Sequence, residues 1–308
     1  MRAVMYHYVR PGTDTPPYEY YHHDLADFRR QLNHFDEIYD LIDRETFLDC
    51  VAGERSPPED AVVLTFDDGL IDHYEHVLPE LRARGLWGLF FIPGPIGDDA
   101  LAVHRVHTLL GTTPAEAVSE ALAAVVDPAD VRAGRREEFE RMYESSSSDE
   151  AVTRVKRTLN YLLPYDRVPE VLDALEDQFP EAGVDPTDLY LSPEQVGALS
   201  DAGMLVGGHT VTHRVLSRLS PAEQRSEVER SLSYVERVAG DQPIRSFAYP
   251  HGTAETFDDA SLAALRESDC DVAFTTESGA VTADALAETP LQLARRDCNE
   301  FRHGEASR

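Results

Sequence analysis

The 308-residue sequence predicts an α/β fold in which a parallel sheet, open or closed as a barrel, is linked by crossover helices. Short apolar runs rich in β-branched residues recur along the chain, and stretches with helical periodicity lie between them. The length also suits one barrel-like domain of roughly 200–250 residues plus an insertion. We therefore treat residues 1–308 as a single domain.

The apolar runs predict strands at 3–9, 61–66, 87–92, 204–207, 244–248, 271–275 and 290–294. A helix is predicted around 25–35, because Leu25, Phe28, Leu32 and Phe35 recur at helical spacing. Residues 74–84 and 221–239 show a similar pattern. The second of these begins at Ser220-Pro221-Ala222-Glu223, which is a helix-start signature with proline at the first helical position.

Residues 97–192 differ from the rest of the chain, because they are helical in pattern, richly charged and without strand signals. We interpret them as a mainly helical insertion. A lid or substrate platform and a purely structural element are both open interpretations. His104 and His107 lie in it at i, i+3 spacing and are interpreted as packing or surface residues rather than ligands.

Composition excludes several classes of protein. No run approaches the ~18 consecutive apolar residues that a membrane helix needs. Cys50, Cys270 and Cys298 lie far apart without a CxxC spacing, so neither a disulfide framework nor a cysteine zinc site is predicted. The first residues lack the pattern of a signal peptide. We expect a soluble, cytoplasmic protein.

The charge is strongly negative. There are 57 acidic against 28 basic residues, a net charge of −29, and Lys156 is the only lysine. Such a field repels nucleic acid and anionic lipid, so neither is expected as a partner. The acidic residues are spread along the whole chain, which favours a surface adapted to a high-salt cytoplasm over an acidic face for a cationic partner.

Chemistry is first indicated at Val62-Val63-Leu64-Thr65-Phe66-Asp67-Asp68-Gly69, where an apolar run ends in two adjacent carboxylates. Functional groups gather at the carboxyl ends of strands in parallel α/β folds. Two charged aspartates side by side are costly without a cation. The alternative interpretation is that one of them caps the following helix.

A second motif, His209-Thr210-Val211-Thr212-His213, also follows an apolar run, through Gly207 and Gly208. Two histidines at i, i+4 can reach one metal, and the glycines allow close backbone approach. Together with an aspartate they make three protein ligands with an open position, which is typical of a catalytic metal. Water at that position loses its proton readily to a neighbouring carboxylate, and either aspartate can be that base.

These two motifs resemble those of the polysaccharide deacetylase (NodB-homology, carbohydrate esterase) family, in the same order and at similar separation. The resemblance spans residues 1–297. It implies a distorted (β/α) barrel that removes acetyl groups from N-acetyl sugars, usually with Zn²⁺; Co²⁺, Ni²⁺ or Mn²⁺ are alternatives. It also implies that Asp67 is the base and that Asp68, His209 and His213 hold the metal.

The segment Ser246-Phe247-Ala248-Tyr249-Pro250-His251-Gly252 resembles the third motif of this family. The resemblance implies that the amide of His251 helps to hold the oxyanion and that Tyr249 and Pro250 contact the substrate. The family's arginine, which orients the base, is replaced here by Ala248. Arg295 is the predicted substitute, and Arg296 is the alternative.

The general acid is less clearly indicated, since no histidine lies near 291–297, where the family often has one. Tyr6-His7 resembles a subset of the family with this pair on the first strand, which implies that His7 is the acid. His251 is the next candidate. The expected reaction is hydrolysis of an acetamide on an N-acetylated sugar or glycan precursor. A non-sugar amide as substrate, or a non-catalytic glycan-binding relative, are the alternatives.

Overall fold

The structure, a computed structural model, describes residues 1–12, 20–127, 129, 139, 142 and 149–306. The contacts divide the chain into two compact units. The first, here called the barrel unit, contains residues 1–12, 22–97 and 187–306 of those described. The second, the helical unit, contains Tyr20, Tyr21 and the described residues between 98 and 186.

The barrel unit is built on short strands. They are β1 (Arg2–Tyr6), β2 (Val9–Arg10), β3 (His23–Asp24), β4 (Asp40–Leu41), β5 (Ala61–Phe66), β6 (Leu89–Ile92), β7 (Leu205–Gly208), β8 (Ser246–Ala248), β9 (Val272–Phe274) and β10 (Arg296–Asp297). The main sheet has the order β10-β1-β5-β6-β7-β8-β9, with β4 also paired to β5, and β2 and β3 form a separate pair. All pairings between these strands are parallel.

The two ends of the main sheet approach each other through one segment of chain. Leu293 forms an isolated parallel bridge to Phe274 in β9, and three residues later Arg296 pairs with Val4 in β1. The sheet is therefore curled, and helices surround it. The predicted α/β fold with a distorted barrel is confirmed.

The helices of the barrel unit connect these strands. They are α1 (Leu25–Ile38), α2 (Arg44–Val51), α3 (Leu78–Arg84), and, after the helical unit, α8 (Pro193–Asp201), α9 (Pro221–Ala239), α10 (Asp259–Glu267) and α11 (Ala283–Glu288). The predicted stripe of α1 is buried, and α9 has the predicted bounds. Ser220 and Glu223 form the capping box at its start. A π-helical turn, His73–Val77, precedes α3.

Two strand predictions need correction. The first strand ends at Tyr6 instead of continuing to residue 9. The segment 290–294 is not a strand: Pro290–Gln292 is a 3-10 turn, Leu293 forms only an isolated bridge, and the strand itself starts at Arg296. Leu291 and Leu293 are apolar because they are buried where the chain crosses from β9 to β1, and proline cannot donate to a sheet. Burial without strand periodicity produced the wrong prediction.

The side chains of β5 alternate between two cores. Val62, Leu64 and Phe66 pack with the helices, whereas Val63 packs with Phe91 and residues of the other strands on the inner face of the curled sheet. The same alternation brings the residues at positions 65 and 67 to that inner face. It therefore decides where the carboxylates that follow β5 can point.

The helical unit consists of α4 (Ala102–Thr112), α5 (Ala115–Val125), α6 (Glu150–Arg157) and α7 (Val168–Gln178), together with short helical turns. Its described residues contain no strand. The predicted insertion at 97–192 overlaps this unit, although 128, 130–138, 140–141 and 143–148 lie outside the described residues. His104 is fully buried in α4, and His107 stacks on Tyr20 with ring centroids 4.0 Å apart. Both histidines thus pack against neighbours.

Across the described residues of the whole chain, no helix is both long and apolar enough to cross a membrane.

Candidate metal centre

The predicted site residues lie where strands of the main sheet end. Asp67 and Asp68 follow β5, His209 and His213 follow β7, and His251 follows β8. His7 follows β1, and Arg295 precedes β10. Since the strands are parallel, the carboxyl ends of β1, β5, β7 and β8 share one edge of the sheet, as the strand-end argument predicts. Arg295 instead lies at the amino end of β10 and reaches Asp67 through its long side chain.

Asp67 continues the inward alternation of β5. Its side chain is 2% exposed, and its amide donates to the carbonyl of Tyr6 at 3.0 Å. Asp68 leaves the strand with φ +76°, a left-handed conformation that turns its carboxylate away from the direction of Asp67. The two adjacent carboxylates therefore have different partners.

Asp68 meets both histidines. Its Oδ1 lies 3.3 Å from Nε2 of His209 and 3.2 Å from Nε2 of His213. The three ligand atoms, one from each residue, all lie within 4.8 Å of one another. Among the described residues, this is the only such group of three or more histidine, cysteine or acidic side chains. Asp68 and His209 are buried, and His213 is 9% exposed.

A hydrogen bond to β8 assigns the tautomer of His209. Its Nδ1 lies 2.7 Å from the carbonyl of Ala248, which can only accept, so Nδ1 carries the hydrogen. In the neutral ring, Nε2 then presents its lone pair to the Asp68 carboxylate. Two acceptors at 3.3 Å repel unless a proton or a cation lies between them. The donor set of two imidazoles and one carboxylate suits a divalent metal, with zinc a good match.

The electrostatics of the group also favour a positive charge between Nε2 of His209 and the Asp68 carboxylate. Burial lowers the pKa of His209, but the carboxylates of Asp68 and Asp67 outweigh burial and raise that pKa above its ordinary value. A site that stabilises a proton on the imidazole also stabilises a metal ion in its place. The residues present therefore fit the metal that the motifs predict.

Arg295 is the partner of Asp67. Its two terminal nitrogens donate to Oδ1 and Oδ2 of Asp67, each at 2.7 Å, and its Nε donates to the carbonyl of Thr275 at 2.9 Å. Burial by itself raises the pKa of Asp67, but the Arg295 charge and hydrogen bonds outweigh it and hold the pKa below its ordinary range. Arg296, the alternative, lies instead beside Glu300 at 3.4 Å.

The two candidates for the general acid both lie near this group. His7 is half-buried, and its charge contributes to lowering the pKa of Asp67. His251 is half-buried with φ +63°, and its ring centroid lies 5.1 Å from that of His213. Geometry alone leaves both histidines available for the role.

The predicted substrate contact of Tyr249 needs correction. Its side chain is 1% exposed, stacks on Phe257 at 4.2 Å and donates its hydroxyl to the carbonyl of Leu291 at 2.8 Å. The ring therefore belongs to the hydrophobic core, because the alternation of β8 turns it away from the strand-end edge. Pro250 is buried as well, and the turn that follows it closes with Gly252 donating to the carbonyl of Pro250 at 2.7 Å.

Close packing explains the glycines before His209. A Cβ on Gly207 would lie 2.8 Å from the Phe91 ring, and one on Gly208 would lie 2.9 Å from Oγ of Ser231. The predicted close backbone approach is confirmed. It allows β7 to lie against its neighbours, so that His209 emerges beside Asp68 and His213.

Two residues of α9 that sequence reasoning missed contact the histidine motif. Oγ of Ser231 accepts a hydrogen bond from the amide of His209 at 3.1 Å, and the carboxylate of Glu227 binds the loop between His209 and His213. Both residues belong to the buried stripe of α9, in which apolar residues are expected. The sequence signal for this contact is therefore a glutamate in a helical stripe that otherwise faces the core.

Comparison with known proteins agrees with this geometry. Residues 156–273 match the family model described as "Polysaccharide deacetylase". This segment contains both histidines of the second motif and the whole third motif, and it does not include Asp67 and Asp68. The family resemblance predicted from the motifs is confirmed. No curated protein matches the chain.

Several solved structures have a fold similar to that of this chain. The Streptococcus pyogenes deacetylase PplD in complex with acetate is 18% identical, with a TM-score of 0.55 over 96% of this chain and 91% of that chain. IcaB from Ammonifex degensii is 16% identical, with a TM-score of 0.54 over 96% and 91% of the two chains. A de-N-acetylase from Aggregatibacter actinomycetemcomitans is 16% identical, with a TM-score of 0.55 over 96% and 93%. At this identity the likeness concerns the fold.

Proposed function

We propose that this chain is a metal-dependent hydrolase that removes the acetyl group from an N-acetylated sugar or glycan precursor. The observation that carries the proposal is the group of Asp68, His209 and His213, whose ligand atoms converge beside an Asp67 carboxylate held by Arg295. Three nitrogen and oxygen ligands leave room in the coordination sphere for substrate, which is the pattern of catalytic rather than structural metal sites.

Asp68, His209 and His213 would hold the metal through Oδ1 and the two Nε2 atoms. Zinc is the metal we expect, with Co²⁺, Ni²⁺ or Mn²⁺ as alternatives. When bound, the metal supplies Lewis-acid chemistry, since it polarises an amide carbonyl and lowers the pKa of water. The Ala248 carbonyl keeps His209 in the tautomer that ligation requires.

Asp67 would act as the general base that accepts a proton from the attacking water. The bidentate contact with Arg295 keeps the group ionised and fixes the plane of its carboxylate. Each carboxylate oxygen has a second lone pair, so accepting two bonds from arginine leaves the base capable of accepting another.

The leaving amine needs a proton, and His7 is our candidate for its donor, with His251 as the alternative. The backbone amide of His251 would donate to the oxygen that becomes negatively charged as water adds to the carbonyl. The left-handed backbone at His251, φ +63°, is a costly conformation of the kind that clusters at functional sites.

The substrate class is inferred from the family and from the names of the proteins with a similar fold. One is a deacetylase solved with acetate, the product expected from an acetamide, and another is named a de-N-acetylase. Ala248, at the place of the family's arginine, is the feature that favours the alternative of a non-catalytic relative. The Arg295 contact supplies the missing charge to Asp67 from the segment that precedes β10 and favours an active enzyme.

The proposal is tested by measuring bound metal and acetate release on the same purified sample, at low and high KCl. We expect about one equivalent of divalent metal, and acetate released from an N-acetylglucosamine oligomer or a nucleotide-linked N-acetyl sugar. Chelation should abolish release, and zinc should restore it. A sample that binds stoichiometric metal but releases no acetate from any N-acetylated sugar, while cleaving a non-sugar amide, would overturn the substrate class. A sample without metal would overturn the metal centre.

A further inference from the structure

The loop that carries both histidine ligands, residues 209–213, packs against α9. Glu227, a residue of that helix only 8% exposed, points its carboxylate at the middle of the loop. Its Oε2 accepts the amides of Val211 at 2.7 Å and Thr212 at 2.9 Å. Its Oε1 accepts the hydroxyl of Thr212 at 2.8 Å. One carboxylate thus binds both residues at the centre of the loop.

The loop has a conformation that needs such support. Thr210 and His213 both have left-handed backbone, with φ of +61° and +55°. Residues with a Cβ adopt this conformation at a cost in free energy and keep it only where the surrounding structure demands it. These two turns bring the imidazoles of His209 and His213 to the same oxygen of Asp68. Relaxation of either turn would separate the ligand atoms.

Other contacts fix the ends of the loop. Ser231, one helical turn beyond Glu227, accepts the amide of His209 at 3.1 Å, and the hydroxyl of Thr210 accepts the amide of His213 at 3.0 Å. The carbonyl of Thr210 accepts the amide of Gly94 at 2.9 Å. The amides of the two central residues, in contrast, depend on the carboxylate of Glu227.

We propose that Glu227 is a positioning residue that sets the metal affinity of the site by holding the 209–213 loop in its ligating conformation. The inference rests on the proposed metal centre, and it assigns to a helix residue outside the three motifs a role that acts through His209 and His213. Groups that orient metal ligands affect affinity strongly without touching the metal.

The chemistry of the contact predicts which substitutions preserve it. Glutamine keeps an oxygen acceptor for the two amides, and the Thr212 hydroxyl can rotate to accept from the new amide nitrogen. Alanine removes the acceptor and leaves the two central amides without their partner. We therefore expect Glu227→Gln to rescue what Glu227→Ala loses.

The test is Zn²⁺ affinity, measured by competition with a chromophoric chelator, together with the unfolding temperature of the metal-free protein. We expect Glu227→Ala to weaken zinc binding by roughly 10- to 100-fold, and Glu227→Gln to stay within a few-fold of the parent protein. Thr212→Val removes only the hydroxyl contact of a half-buried residue, so it should fold and weaken binding by a smaller factor. Acetate release by Glu227→Ala should recover in excess zinc.

Glu223→Ala is the matched control, because it removes the capping box of the same helix without touching the loop. It should lower the unfolding temperature and leave zinc affinity unchanged. If Glu227→Ala and Thr212→Val bind zinc as tightly as the parent, the positioning role is overturned while the proposed function stands. If the parent protein binds no zinc, the metal centre itself is overturned, and this inference falls with it. If the variants bind zinc more weakly than the parent, as expected, but the parent releases no acetate, the result would support the inference and count against deacetylation.

Discussion

Arg295 and Asp67 form a buried bidentate ion pair across 228 residues of sequence, with both nitrogen–oxygen distances at 2.7 Å. The exposed fractions of the two side chains are 0% and 2%. The pair connects the strand end that carries Asp67 to the segment that joins the two ends of the sheet. Since neither charge meets water, each depends on the other for its stability in the interior.

Arg295→Ala should therefore be strongly destabilising. Removing one partner of a buried pair leaves an uncompensated charge, and the expected loss in the free energy of unfolding is about 3–5 kcal/mol. Arg295→Lys should lose less, because lysine keeps the charge but not the two-pronged geometry. Urea unfolding at pH 7.5, followed by circular dichroism, measures both changes.

Arg296→Ala is the control for this prediction, since Arg296 lies next in sequence and pairs with Glu300 at the surface at 3.4 Å. Its effect on the free energy of unfolding should stay within about 0.5 kcal/mol. Equal effects of the two alanine substitutions would show that the buried pair is not the stabilising contact described above.

Asp67→Asn separates the proposed base from the proposed metal ligands. The change is nearly isosteric and leaves the ligand atoms of Asp68, His209 and His213 untouched. It also removes the charge that compensates Arg295, so the variant should be less stable and is assayed at a temperature at which it is folded. Loss of a positioned general base costs roughly 10²- to 10⁴-fold in turnover. Metal analysis and acetate release on one sample should show an unchanged metal content with turnover reduced to that extent. Full activity of the variant would refute the assignment of Asp67 as base.

The grouping of Asp68, His209 and His213 was predictable from sequence because its signals are local. Asp68 and the histidines follow apolar strands directly, and parallel strands bring their carboxyl ends together. Arg295 could not be separated from Arg296 in this way, since only the bridge of Leu293 to β9 decides which of the two faces the inside of the sheet. Glu227 was missed because its partner atoms are backbone amides, which no residue pattern reveals.

The strand predicted at 290–294 and the substrate contact predicted for Tyr249 were wrong for a related reason, because a local pattern does not give the direction of a side chain. The apolar residues at 291 and 293 and the ring of Tyr249 were interpreted from composition and motif position. Burial requires apolar residues in turns as well as in strands, and Tyr249 lies one residue beyond the end of β8 on the side that faces the core. Hydrophobicity therefore located these residues in the interior without showing their conformation or direction.

Stability should fall as the solution becomes mildly acidic, because two buried histidines resist protonation. Burial lowers the pKa of both His23 and His73 to about 4. The unfolded chain, with a histidine pKa near 6.5, then binds more protons than the folded chain between about pH 6.5 and 4. The two histidines contribute fully to the free energy of unfolding above about pH 6.5. This contribution is lost as the pH falls toward 4, by up to about 3 kcal/mol for each residue. Urea midpoints at pH 7.5 and 5.0 measure the loss.

His23→Phe identifies the source of this dependence. Among the residues that the structure describes, neither ring nitrogen of His23 has a hydrogen-bond partner. The ring packs among Tyr6 and Phe28, so phenylalanine should be accepted at this position. The variant should lose less stability than the parent between pH 7.5 and 5.0. An unchanged dependence would assign the acid sensitivity to other groups.

Salt should stabilise the protein, because its net charge of −29 makes the folded chain repel itself. The Debye length falls from roughly 10 Å at 0.1 M salt to roughly 3 Å at 1 M, which screens most of this repulsion. We expect the unfolding temperature to rise by at least about 4 °C between 0.1 and 2 M KCl, which corresponds to about 2–3 kcal/mol for a chain of this size. The triple variant Asp36→Asn, Glu37→Gln and Glu229→Gln neutralises exposed carboxylates on α1 and α9 and should reduce the slope. An unfolding temperature that does not change with KCl would instead favour an acidic surface that serves a cationic partner.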